Sequence, residues 1–70
     1  MSQAGRSLQV GDEAYTDYKR GITVVRIVDR IEGTKSQSGI CFRVDPPLEQ
    51  YDPKAIYDAD WFEPAPRDLL

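Results

Sequence analysis

Residues 22–32 constrain the fold more than any other stretch of this chain. They include seven β-branched residues, Ile22, Thr23, Val24, Val25, Ile27, Val28 and Ile31. Such side chains are stiff at χ1, which costs little on a pleated sheet and more in a helix. Val24, Ile27, Val28 and Ile31 also sit at helical spacing, but the helix propensity of the window is poor. The run therefore reads as a strand. Strict alternation places Thr23, Val25, Ile27, Asp29 and Ile31 on one face and Ile22, Val24, Arg26, Val28 and Arg30 on the other. Both faces are partly apolar, as a long, bent strand serving two sides of a small barrel requires.

Shorter elements surround this strand. Residues 1–7 are small and polar and are expected to form a flexible lead-in. Val10-Gly11-Asp12 is a turn signal, and residues 13–18 have strand-like content with Tyr15, Thr16 and Tyr18. Residues 33–39, polar and bounded by Gly33 and Gly39, read as a hairpin tip. Ile40, Phe42 and Val44 then alternate with Cys41 and Arg43, which predicts a half-buried strand with Cys41 on its outer face. Pro46-Pro47 stops that strand. Asp52-Pro53 has the form of a cap followed by a first-turn proline, so a short helical turn is expected over residues 53–57. Residues 59–63 read as a closing strand ended by Pro64 and Pro66, with 65–70 as a tail.

Composition narrows the chemistry. The 70 residues contain no histidine and one cysteine, Cys41. That excludes an internal disulfide, a Cys/His zinc site and a histidine-activated nucleophile. An enzyme is not expected unless chains assemble around a shared pocket, and no cofactor is expected. Nine basic and twelve acidic residues leave a net charge of −3. Nucleic-acid binding, which draws on excess basic charge, is therefore not the favoured reading. The acidic residues concentrate late: residues 1–44 carry net +2 and 45–70 carry net −5. No apolar run approaches the ~20 residues of a membrane helix, and residues 1–6 lack a signal-peptide core, so the sequence reads as cytoplasmic.

The Val10-Gly11-Asp12 opening, the polar-tipped hairpin and the Trp61-Phe62 ending resemble the layout of small bacterial SH3-like barrels over residues 8–64. Ala14-Tyr15-Thr16-Asp17-Tyr18 also agrees with the A-L-Y-D-Y motif of eukaryotic SH3 domains at Ala14, Asp17 and Tyr18. The mid-domain tryptophan pair and closing P-x-N-Y of that family are missing, so this agreement reads as coincidence. A third similarity is to the plasmid-borne type II dihydrofolate reductases, SH3-like chains that work as tetramers around a shared pore. Lys54-Ala55-Ile56-Tyr57 is placed like that family's late V-Q-I-Y run, and Ile56 and Tyr57 match its ligand-contacting pair. The family's glutamine is Ala55 here, and no lysine lies near Thr16 or Asp17. The resemblance thus implies architecture and self-assembly more than reductase activity.

The expected fold is all-β: an SH3-like small barrel of four to five strands with one short helical turn before the last strand. The expected function is a non-enzymatic binding module for another protein, or for a second copy of itself. Trp61 and Phe62 are neighbours, so a strand would point them to opposite faces, one into the core and one outward. The expected contact surface is Tyr51, Tyr57, Trp61 and Phe62, with Asp58 and Asp60 at its polar rim, since aromatics are enriched at interface hot spots. The four tyrosines, Tyr15, Tyr18, Tyr51 and Tyr57, are candidates for lining a peptide groove or for packing at the barrel rim. Asp52, Asp58, Asp60 and Glu63 lack the spacing of a calcium loop. Arg26, Arg30 and Arg43 form either a basic face for single-stranded nucleic acid or cross-strand pairs with neighbouring acids.

Overall fold

The β-branched run forms the longest strand of the protein, Thr23–Glu32, labelled β2. The computed structural model describes residues 3–18 and 21–66. Strand β1 is Glu13–Thr16, β3 is Ile40–Asp45, β4 is Tyr57–Asp58 and β5 is Glu63–Pro64. They make one antiparallel sheet in the order β4-β3-β2-β1-β5. Two 3-10 turns complete the fold, Ala4–Ser7 at the N-terminus and Ala59–Trp61 between β4 and β5. Among the described residues no helix is long and apolar enough to cross a membrane.

The connection from β4 to β5 sets the shape of the sheet. These strands occupy opposite edges, and four neighbour spacings would separate them by roughly 19 Å in a flat sheet. Only residues 59–62 join them, three of them in the 3-10 turn. At about 2 Å rise per turn residue they cannot reach that far, so the sheet curls. Among the described residues no ladder joins β4 to β5, and the sheet is open along that line.

Alternation along β2 holds only up to its middle. Val25 and Ile27 face the core as expected, together with Leu8, Ala14, Phe42, Val44, Tyr57, Ala59 and Phe62. A bulge then intervenes: Ile27 pairs with Val44 and Asp29 with Arg43, leaving Val28 as the extra residue. A bulge shifts the pleat by one position and bends the strand. Ile31, expected on the face of Val25 and Ile27, therefore lies on the opposite one and is exposed. Arg30, expected on the face opposite Val25 and Ile27, now shares their face with its partner Phe42. Its side chain runs to the end of the core, where Nε donates to the Leu8 carbonyl at 3.0 Å and Nη2 to the Arg6 carbonyl at 2.8 Å.

Several other expectations need correction. Residues 4–7, read as part of a lead-in, form a 3-10 turn with Gly5 buried, and Leu8 is a core residue. Cys41, expected on the outer face, is buried, and its Sγ lies 3.6 Å from Thr34 Oγ1 because residues of the hairpin tip fold back over it. The helical turn falls at Ala59–Trp61 instead of 53–57, because Asp58 caps it where Asp52 was expected to cap. Residues 49–55 form tight turns, in which the Asp52 amide donates to the Glu49 carbonyl and the Ala55 amide to the Asp52 carbonyl. Pro64 lies within β5, an edge strand, where a residue lacking a donor is tolerated. Of the expected tail, Ala65 still donates to the Glu13 carbonyl, and residues 67–70 lie outside the described residues.

The core centres on two fully buried rings, Phe42 and Phe62, packed edge to face at 5.8 Å. Phe62→Ala is expected to cost about 3–5 kcal/mol. A chain of this length has roughly 4–10 kcal/mol in total. Urea unfolding followed by far-UV circular dichroism measures the loss, and a change below about 1 kcal/mol would show that Phe62 is not core.

Candidate functional site: an aromatic face beside the last turn

Three rings from three separate segments meet at one face. Tyr18 follows β1, Tyr57 begins β4, and Trp61 ends the second 3-10 turn. Tyr18 stacks on Trp61 with ring centroids 5.3 Å apart and planes 25° from parallel. Tyr57 lies beneath, 6.0 Å from Tyr18, 6.1 Å from Trp61 and 6.5 Å from Phe62. Tyr57 is thus shared between surface and core: it is buried, while Trp61 is 41% exposed. An open cleft of about 550 Å³ adjoins the stack, walled by Tyr18, Thr23, Pro47, Leu48 and Tyr51, with Glu49 among its lining.

The polar chemistry of the cleft centres on Glu49. Tyr18 donates its hydroxyl to Glu49 Oε1 at 2.6 Å, and Tyr51 donates to the other carboxylate oxygen. Hydrogen bonding to Glu49, helped by burial and the carboxylate charge, pushes the Tyr18 hydroxyl up to about 12. Tyr18 therefore stays a neutral donor at physiological pH. On the neighbouring strand pair Tyr15 donates to Glu63, and this bond, with burial and the Glu63 charge, raises the Tyr15 hydroxyl.

The expected site residues divide by position. Tyr51 is 82% exposed at the cleft wall, Trp61 is exposed and stacked, and Tyr57 forms the buried floor. Phe62 is a correction: it is fully buried against Phe42, and residues 59–61, expected to begin a closing strand, form instead the 3-10 turn that leaves Trp61 outside. The acidic rim is corrected as well. Asp60 is buried and forms a two-pronged ion pair with Arg6, Nε to Oδ1 at 2.8 Å and Nη2 to Oδ2 at 2.9 Å. That bond to Arg6 holds the Asp60 carboxyl below its usual range. Asp58 is half-buried and works inside the fold. Its Oδ1 accepts from the Ser38 amide at 3.0 Å and the Ser38 hydroxyl at 2.7 Å, and its Oδ2 accepts from the Asp60 amide at 3.0 Å. Ile56, beside Tyr57, is 45% exposed.

The contact surface expected from sequence lacks Tyr18, Leu48 and Glu49. Tyr18 carries a sequence signal in the tyrosine load of the chain. Glu49 carries none, because its partner Tyr18 is 31 positions away and is brought to it by the fold. The arginines resolve into local pairs: Arg26 with Glu13 at 3.0 Å, Arg43 with Asp29, and Arg30 with Glu32. Among the described residues no group of three or more metal-ligating side chains is assembled. Compared with known protein families, curated proteins and solved structures, the chain matches none at a significant level.

Asp58 makes a pH prediction. Burial opposes its ionisation, but hydrogen bonds from Ser36, Ser38 and the Asp60 amide outweigh burial and lower the carboxyl from 3.8 to about 2. A depressed folded-state value contributes stability that is present above the unfolded value and is lost as pH falls through the folded one. Asp58→Asn is therefore expected to be less stable than the parent at pH 7 by about 1–2 kcal/mol. The gap should close between pH 4 and pH 2. Urea titrations of both proteins at several pH values check this, and a pH-independent gap would refute it.

Proposed function

We propose that the protein is a non-enzymatic protein-interaction module, built as an SH3-like barrel, whose binding surface is the face of Tyr18, Tyr51 and Trp61 over Tyr57. The observation that carries this reading is the exposed Trp61–Tyr18 stack beside an open cleft. A large aromatic left half-exposed in a domain this small retains much of its burial free energy for a partner. The strand order supports the barrel reading: four consecutive antiparallel neighbours, with the last strand returning to β1 across a single 3-10 turn. A chemical role has less support, since the carboxylates expected at the rim are taken up by Arg6 and Ser38 inside the fold.

The exposed Ile56, next to Tyr57, favours a second use of the same region as a contact between copies. Light scattering on a sizing column at low and high salt separates the two. A monomer leaves the aromatic face open to another protein, and a salt-resistant oligomer assigns it to self-association.

The binding reading is tested with a displayed library of random peptides selected on the parent protein and counter-screened on Trp61→Ala. Trp61→Ala is expected to keep the far-UV spectrum and to lose at least tenfold in affinity for the selected peptides. Peptides that bind both proteins equally would place the contact surface elsewhere.

A further inference from the structure

The second 3-10 turn, which carries Trp61, is gripped from one side by the N-terminal turn. Four observations of different kinds describe the grip. Gly5 is buried, and a Cβ there would overlap the backbone carbonyl oxygens of Ala59 and Phe62. Arg6 closes both prongs of its guanidinium on Asp60, the residue before Trp61. Arg30, turned inward by the β2 bulge, fixes the backbone of the N-terminal segment at the Arg6 and Leu8 carbonyls. Leu8 anchors the segment in the core at 4% exposure. Glycine packing and a bidentate ion pair thus join the N-terminal turn to the second turn, while the Arg30 clasp and the Leu8 anchor hold the N-terminal segment itself in place. Neither a cover for the core nor a general ion pair requires the backbone contact that Gly5 makes.

We infer that Gly5 and Arg6 are positioning residues for the aromatic face: the N-terminal turn holds Ala59–Trp61 in the orientation that stacks Trp61 on Tyr18. This inference rests on the reading of that face as a binding surface, but its test is independent of any ligand. The geometry is direct. A shift of the Ala59 or Phe62 backbone rotates the turn, and Trp61 is its last residue. The stack on Tyr18 is the contact most exposed to such a rotation, because it joins two segments with no ladder between them among the described residues.

Trp61 is the single tryptophan of the chain, so its fluorescence reports on this turn alone. The experiment compares emission maximum and acrylamide quenching in the full chain for four variants, under conditions where far-UV circular dichroism shows each to be folded. Arg6→Gln and Gly5→Ala are expected to shift Trp61 emission to the red and to raise its quenching constant about 1.5- to 2-fold. Arg6→Lys, which keeps the charge but not the two-pronged fit, is expected to fall between the parent and Arg6→Gln. Arg26→Gln, which removes a surface pair with Glu13 remote from the turn, is expected to leave Trp61 unchanged. If Gly5→Ala does not fold, the two Arg6 variants and the control still decide the matter. Unchanged Trp61 signals in the folded Arg6 variants would overturn the inference, leaving the N-terminal turn a stability element. An equal change in Arg26→Gln would overturn it too, since general loosening would then be the cause. Loss of peptide binding in Trp61→Ala is read separately, so the binding surface and the grip stand or fall apart.

Discussion

The four-residue return from β4 to β5 is the constraint on which the rest of the structure depends. It brings opposite edges of a five-stranded sheet close enough for the sheet to curl around one core. Residues this few must pack tightly, and a 3-10 turn shortens the path. Asp58 caps the turn by accepting from the Asp60 amide, and the Phe62 amide closes it on the Ala59 carbonyl. The same geometry fixes two neighbouring aromatics. Phe62 goes into the core against Phe42, and Trp61 goes out onto Tyr18. Core closure and surface presentation are therefore one conformational choice.

The bulge at Val28 is the second decision in the fold, and it acts through Arg30. Without an extra residue, alternation would send Arg30 outward and leave the end of the core facing water. With it, Arg30 follows Phe42 inward and meets the two carbonyls of the N-terminal segment. An inward arginine is costly unless its donors are satisfied. Here two carbonyls and Glu32 satisfy it, so the cost becomes a fastening for Leu8. A chain with one cysteine has no disulfide to hold its ends. Charged clasps from Arg6 and Arg30 supply that restraint, at a chain length where the core buries only about 60% of the unfolded surface.

Much of the fold was legible where local pattern and long-range packing agree. The β-branched run and the Ile40-Phe42-Val44 alternation follow from side-chain geometry alone. The failures share a physical cause. A bulge is invisible to a period-two reading, so Ile31 and Arg30 were assigned to the wrong faces. Asp58, which caps the turn, also accepts from Ser38 in the β2–β3 hairpin, a distant partner that local sequence does not show. Asp60 reads as a surface acid until Arg6, 54 positions away, is placed beside it. Glu49 reads as a loop acid until Tyr18, 31 positions away, is placed beside it. Polar residues whose role is set by distant partners are the part of a site that a single sequence hides.

Tyr57 links the stability of the protein to the use of its surface. Its ring packs against Phe62 in the core and against Tyr18 and Trp61 at the surface. A partner that covers Trp61 would bury a ring that is 41% exposed and that packs against Tyr57. A ligand that binds only the folded state adds about 2.7 kcal/mol when present at a hundred times its Kd. Against a total of roughly 4–10 kcal/mol for a chain this long, that is a large fraction. The domain would then be more resistant to unfolding when occupied than when free. The effect would enter through the return between β4 and β5, the element that both closes the core and presents the aromatic face.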